Sequence, residues 1–504
     1  MRSVIRNRRN GKDCEDCEDR HDRHDRHDRR STWIAFAALA CLPLCMPAQT
    51  GSGSAAGAGS AIGASGPGAG QGQAGHGQTA VPGQTAVQNG LTPEQYAAGA
   101  SQVLDPRKPP AAKPNAMTLQ QVVEQARTKN PTILAAEQTL RSVRAQEVQA
   151  GLRANPYFTF YGTNVTLPGD GSEGNPFQYT PQLLRLFERG HKRTYRLETA
   201  RATTAQTEAL NEDQVRQTVL QVRTAFTHML TAKQAAQLAA ASLKDFRHEV
   251  EIANDRYQAG DLGKLDFERL DLLLGSYESD EANDLINLEQ ASAQLQTFIG
   301  YDIPRPDFDI TGEVVPPIVT QTKAMLEQVA LTTRPDYAAT RYAQRAAEAS
   351  SQLAIANGLT DPTLEVEYDR SGNYNSFGFS ANIPIRIFDR NQGNKATARY
   401  QADASRFVVV AARNQVVSDV EQAWVGYAQS KRLSDRFTDH YLDESSDVLS
   451  IAQFAFEHGG IALIDYLDAL RDARTAVSNA LNAYSNTWLA IHQLSASTAS
   501  EVTP

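Results

Sequence analysis

The sequence predicts a mainly α-helical fold with a small β part: long coiled-coil helices joined to four short strands, in an internal two-fold repeat. Three observations predict it. Short segments recur at a spacing of about 200 residues. Lys192–Tyr257 runs 66 residues without a proline or a glycine. Thr363-Leu364-Glu365-Val366-Glu367-Tyr368-Asp369 alternates polar and apolar side chains without a miss.

The recurrence comes first, because a missed repeat misassigns a whole fold. Asn130-Pro131 answers Arg334-Pro335, and Asn155-Pro156-Tyr157-Phe158 answers Asp361-Pro362-Thr363-Leu364. Leu186–Gly190 answers Ile387–Asn391. Tyr257–Gly260 answers Phe456–Gly459, and Leu265-Asp266-Phe267 answers Ile464-Asp465-Tyr466. The offsets are 204, 206, 201, 199 and 199, the drift that loop insertions and deletions leave between copies. The expected boundaries are a first repeat at 116–304, a second at 305–497 and a tail at 498–504.

Each half reads as helix, hairpin, long helix, helix. Thr118–Ala150 is broken only at Asn130-Pro131. At a rise of ~1.5 Å per residue, Lys192–Tyr257 would reach roughly 100 Å. Its apolar positions step by four and three through Val215, Val219, Val222, Phe226 and Met229, and the following helix does so through Leu285, Leu288, Ser292, Leu295 and Ile299. In the second half the stripe is Leu467, Leu470, Arg474, Val477, Leu481, Tyr484, Trp488 and Ile491. Sustained 3.5-residue spacing on long helices means coiled-coil-like packing. Such helices suit a tube, a stalk or a scaffold.

The hairpins alternate with period two. Leu364, Val366 and Tyr368 share one face, as do Phe377, Phe379, Ala381, Ile383, Ile385 and Ile387, with Ser371-Gly372-Asn373 as the turn. The first half is less regular: Tyr157–Leu167, with Phe158 and Phe160, is aromatic on both faces, and Pro168–Gly174 is a loop. The expected strands are 157–167, 177–187, 363–370 and 376–387. Their length and single apolar face fit a transmembrane strand in contact with outer-membrane lipid and fit a half-buried soluble hairpin equally well. If they span a membrane, four strands cannot close a barrel, since the edges would leave backbone groups unpaired in lipid. Several chains must then share one barrel, as a symmetric ring of identical subunits.

The first 48 residues read as an address. Arg29-Arg30 precede an apolar run from Trp33 to Leu44, and Met46-Pro47-Ala48 offers a small-residue cleavage position. Upstream lie Cys14-x-x-Cys17 and three Arg-His-Asp triplets over residues 20–28, either a metal-binding tract or a low-complexity leader that is removed. Ala38-Leu39-Ala40-Cys41 faintly resembles a lipoprotein signal, with Ala in place of the usual leading Leu. Residues 49–115 read as a flexible linker, with 14 of the 33 glycines between Gly51 and Gly99.

Composition and motifs narrow the chemistry. The chain carries 49 basic and 58 acidic residues, a net charge of −9, which argues against nucleic acid as a partner. All four cysteines lie before Met46, so the body has no thiolate zinc site, cysteine nucleophile or disulfide framework. No metal-ligand spacing joins the scattered histidines, and no phosphate loop or nucleophile elbow is present. The expectation is no enzyme, no cofactor and no resident metal.

The two halves of helix, β-hairpin and long helical hairpin resemble the outer-membrane efflux protein family, the TolC-like channels, over residues 117–497. The markers are Leu119 through Asn130-Pro131, and the pair Arg256-Tyr257-x-x-Gly260-x-x-x-x-Leu265-Asp266 and Phe456-x-x-Gly459-x-x-x-x-Ile464-Asp465. The stretch Ile383–Asn394 is similar to the CzcC-like branch, outer-membrane partners of heavy-metal cation efflux pumps. The resemblance implies a homotrimer in the outer membrane and periplasm of a Gram-negative-type bacterium. Its twelve-stranded barrel would sit on a periplasmic α-barrel, and it would act as a passive exit duct for heavy-metal cations or small toxic compounds. It implies an inner-membrane pump of the resistance-nodulation-division type and a periplasmic adaptor. The adaptor would dock at the helix turns through Arg256, Tyr257, Gly260, Leu262, Leu265, Asp266, Phe456, Gly459, Ile461 and Ile464; ordinary C-cap glycines are the plainer reading of those turns.

The resemblance further implies a pore gate at Asp465 and Asp468, three residues apart and so on one helix face. Three-fold symmetry would gather six carboxylates, which attract cations. The plainer reading of Asp465 is a helix-start carboxylate favoured by the dipole. In the first half Asp266 is followed by Arg269, a local ion pair. Two other functions share these features: a protein-export (type I secretion) channel, and a non-channel periplasmic coiled-coil scaffold.

Overall fold

Thr118 opens the first helix with a reciprocal cap: the Gln121 N–H donates to Thr118 Oγ1 (3.4 Å) and the Thr118 N–H to Gln121 Oε1 (3.0 Å). Helix α1 (Leu119–Lys129) then stops at Asn130, because the residue before a proline is pushed out of the helical region. Asn130 Oδ1 at once accepts from the Thr132 N–H (2.8 Å) and starts α2 (Pro131–Ala150). The computed structural model describes residues 105–164 and 177–503, all within one compact unit. The expected signal segment 1–48, linker residues 49–104 and the loop Pro168–Gly174 lie outside the described residues.

Strands β1 (Tyr157–Thr163) and β2 (Gln178–Leu186) follow, then α3 (Lys192–Ala259), 68 residues long, and α4 (Lys264–Ile299). The same order of elements comes again: α5 (Lys323–Thr333), α6 (Pro335–Ala356), β3 (Thr363–Ser371) and β4 (Tyr374–Asn382). The second long helix is α7 (Gln392–Arg436), a π-turn (Phe437–Tyr441) and α8 (Leu442–Glu457), and α9 (Leu463–Thr498) closes the chain. At the α5–α6 boundary Arg334 stands where Asn130 stood. Its guanidinium, nearly fully buried, pairs with Asp336 (2.5 Å) and Asp419 (2.7 Å).

Most positions of the apolar stripes bury, but Leu285, expected on the stripe of α4, stays exposed. Val222, Phe226 and Met229 of α3 pack with Val122 and Ala126 of α1 and with Leu295 and Ile299 of α4. Val420, Ala423 and Tyr427 of α7 pack with Leu326 and Ala330 of α5 and with Ile491 and Leu494 of α9. A buried Lys233–Asp309 pair (2.6 Å) ties α3 to the segment between the halves, and the Lys113 N–H also donates to Asp309 (2.7 Å). These bonds outweigh the cost of burial and hold the Asp309 carboxyl below its ordinary range.

The four strands form one antiparallel sheet in the order β1-β2-β3-β4. The alternation in Phe377–Ile387 predicts a strand to residue 387, but β4 ends at Asn382. Ile383 therefore lies past the strand. Pro384 has no N–H to donate to a ladder, so pairing stops there.

Candidate functional site

The sheet has two unlike faces. The register sets Phe158 opposite Leu183, Leu183 opposite Val366, and Val366 opposite Phe379. That apolar row crosses all four strands and is exposed throughout, Phe379 to 92%. A second row on the same face is aromatic: Phe160, Tyr179, Tyr368 and Phe377 follow one another at ring separations of 6.2, 6.3 and 5.2 Å. Leu364 lies on this face as well, opposite Ala381. Arg185 and Arg370 stand on it at opposite ends of the band.

The other face is polar and acidic. Gln182 donates to Glu367 (3.0 Å), Gln178 and Thr180 donate to Asp369 (2.7 and 2.8 Å), and Ser380 donates to Glu365 (3.0 Å). Each of these partners is a neutral side chain.

At the far end of the long helices the two turns meet in one cluster. Leu243, Phe246, Leu270 and Tyr277 pack with Leu463, Tyr466 and Leu467, and Leu262, Ile461, Phe267 and Phe456 pack against them. Gly260 (φ +83°) and Gly459 (φ +72°) both sit in the left-handed region. Nothing lies within 4 Å of where a Cβ would stand at either, so backbone conformation, not crowding, requires glycine. Each turn closes with a six-to-one bond, the Asp261 N–H to Arg256 O (2.8 Å) and the Gly460 N–H to Ala455 O (2.7 Å). Of the apolar residues named for these turns, Leu262 and Ile461 are spent on the cluster, whereas Leu265 and Ile464 remain exposed. Arg256 is exposed, and Tyr257 stacks on Phe267.

Asp465 and Asp468 are both exposed, on the side of α9 away from buried Leu463, Tyr466 and Leu467. Asp465 accepts from the Ala462 N–H (3.3 Å) and so helps cap α9. Asp468 pairs with Arg471 (3.1 Å), and Asp266 with Arg269 (3.6 Å). The local ion pair expected only in the first half is present in both.

One group has no counterpart in the sequence reading. Arg474, on the apolar stripe of α9, lies over the Tyr277 ring (3.8 Å), which stacks on Phe246 (4.4 Å), and it pairs with Asp280 (2.5 Å). Together they join α3 and α4 to α9. Burial, opposed by Arg474, pushes the Tyr277 phenol up. The only sequence signal was a charged residue inside a heptad stripe. Among the described residues no three His, Cys, Asp or Glu groups converge to hold a metal, and no helix is long and apolar enough to cross a membrane.

The sequence profile described as outer membrane efflux protein matches residues 122–301 and 326–500, and the chain belongs to that family. It is similar to the cobalt-zinc-cadmium resistance protein CzcC of Cupriavidus metallidurans, 24% identical over 357 residues, 70% of this chain and 83% of that protein. Its fold is that of a membrane protein from Pseudomonas aeruginosa (TM-score 0.66, 19% identity, 79% of this chain and 95% of that one). It is also that of CusC (TM-score 0.65, 19% identity, 78% and 96%). The family and fold are those of channel proteins. The chain is an outer membrane efflux protein of the CzcC-like branch, placed in the outer membrane and periplasm.

Proposed function

We propose that the chain is the passive exit duct of a tripartite efflux system that exports heavy-metal cations, working with an inner-membrane resistance-nodulation-division-type pump and a periplasmic adaptor. The observation that carries this is the sheet. Its exposed apolar and aromatic face suits lipid, its acidic face suits a water-filled lumen, and its two edge strands, β1 and β4, need partners. Three copies give a twelve-stranded barrel in which no edge remains.

Exposed stripes on the helices support the same ring. On α4, Leu265, Leu272 and Ile286 fall at intervals of seven and fourteen residues, and on α8, Val448, Ile451 and Phe454 step by three; all six are exposed in the single chain. A neighbouring copy would bury them. The repeated order of elements supports an internal two-fold repeat, with domains 116–304 and 305–497 preceded by a cleaved signal and a linker.

The cargo reading rests on the relative's cobalt-zinc-cadmium resistance and on Glu365, Glu367 and Asp369, whose charge concentrates cations along a lumen. Leu265 and Ile464, exposed beside the two turns, supply the apolar contact for an adaptor. Asp465 and Asp468 form the periplasmic gate.

The test is export from cells that carry the pump and adaptor with and without this chain. The reading expects zinc, cobalt and cadmium to be retained when the chain is removed and released when it is restored. Unchanged metal efflux, with release of organic toxic compounds or a secreted protein lost instead, overturns the cargo assignment.

A further inference from the structure

We propose that the strap Asp105–Ala116 is a latch on the second long helix. Arg107 grips the π-turn Phe437–Tyr441 and so fixes α8 and the second tip relative to α3.

The two long helices differ at one place. Helix α3 runs 68 residues without a break, whereas its counterpart is interrupted by the π-turn. A π-turn spaces its hydrogen bonds by five residues, here the Leu442 N–H to Phe437 O, and leaves neighbouring carbonyls free for other donors. The strap uses this. Arg107 Nη1 donates to Thr438 O (3.4 Å), and the same guanidinium pairs with Asp443 (2.9 Å) one turn on. Asp105 orients it through a further bond to Nε (2.8 Å).

The rest of the strap is anchored to α3 and to the segment between the halves. The Ala111 N–H and C=O bond to the Gln237 side chain (2.8 and 2.9 Å) on α3, and the Lys113 N–H donates to Asp309 (2.7 Å). Pro106 and Pro110 are buried. The strap thus bridges α3 and the π-turn directly. Thr438 Oγ1 also meets the Tyr484 hydroxyl (3.0 Å) of α9, and Phe437 packs against the cluster that holds Leu442, Leu481 and Tyr484. The π-turn is thus held by the strap and by α9 at the interruption in the long helix, the kind of place where helices bend.

Amide hydrogen exchange on the detergent-solubilised full chain tests the latch. In Arg107→Ala, amides of residues 438–457 should exchange about tenfold faster, the loss of roughly one charge-assisted hydrogen bond, with α6 unchanged. Arg107→Lys, which keeps the charge without the fork, should fall between. Unchanged exchange at 438–457 in Arg107→Ala overturns the latch, whatever the chain transports.

Control of passage rests on the exit-duct reading and has its own readout. Arg107→Ala should lengthen open dwell times in planar bilayers relative to the unaltered protein. Faster exchange with unaltered dwell times overturns the control of passage while the duct stands. Absence of conductance in both proteins counts against the duct and leaves the exchange result to decide the latch.

Discussion

Tyr257 stacks on Phe267, with ring centres 5.2 Å apart and planes 6° apart. Phe456 and Tyr466, each 199 residues further on, do the same at 5.2 Å and 4°. Each stack spans one turn and ties the end of a long helix to the start of the next. Beside these braced turns Leu265 and Ile464 stay exposed.

The first prediction concerns that surface. Leu265→Glu with Ile464→Glu should abolish capture of a purified adaptor, leaving the melting temperature within a few degrees, since both side chains are exposed. Phe456→Ala should instead lower stability, by about 1–3 kcal/mol for a half-buried ring and its stack. Adaptor capture that survives the double glutamate variant places docking elsewhere.

A second prediction concerns lipid. Phe379→Arg puts a charge at the β4 end of the apolar row and should cost about 2–4 kcal/mol of folding stability in lipid vesicles if it sits at the bilayer midplane. Glu367→Gln, one residue along β3 from Val366, the cross-strand partner of Phe379, but on the opposite face, should cost far less. Equal effects would remove the distinction between the faces.

The third prediction follows from His492. The ring is buried, bonded to Thr227 Oγ1 (3.0 Å), and burial with Arg223 nearby lowers its pKa to about 3. The unfolded chain takes up the proton near the ordinary value of about 6.5. Stability should therefore fall as pH drops from about 6.5 toward about 3, by up to roughly 1.4 kcal/mol per unit from this residue, and be constant above. Urea unfolding of His492→Gln should show a shallower acid slope over that window. An unaltered slope assigns the acid sensitivity to other groups.

A fourth prediction tests the gate. Asp465→Ala with Asp468→Ala should reduce block by divalent and trivalent cations from the periplasmic side. Arg471→Ala, which removes the partner of Asp468, should strengthen it, because the carboxylate is then unscreened. Block unaffected by any of the three makes these surface carboxylates.

Much of the fold was legible in the sequence, for physical reasons. An unbroken run such as Lys192–Tyr257 has few alternatives to a helix, and Leu364-Glu365-Val366-Glu367 has few alternatives to a strand with two unlike faces. The end of β4 was not legible from alternation, because Ile383, Ile385 and Ile387 keep the period while Pro384 ends the pairing. The Arg474–Tyr277–Asp280 group was hidden because it depends on how α9 sits against α4. That is long-range geometry, carried by no spacing within either segment. The strap was masked by composition: Arg107-Lys108-Pro109-Pro110 reads as linker, yet Pro106 and Pro110 are buried. The π-turn has no local marker in Phe437-Thr438-Asp439-His440-Tyr441.

The central claim is that this chain forms a cation-conducting duct lined by the acidic face of its sheet, and planar-bilayer recording tests it most directly. Purified protein should give discrete conductance steps with a reversal potential on the cation side in a salt gradient. The variant Glu365→Gln, Glu367→Gln, Asp369→Asn should conduct with that preference reduced. A folded protein that yields no steps, or steps whose selectivity ignores the three carboxylates, would contradict it.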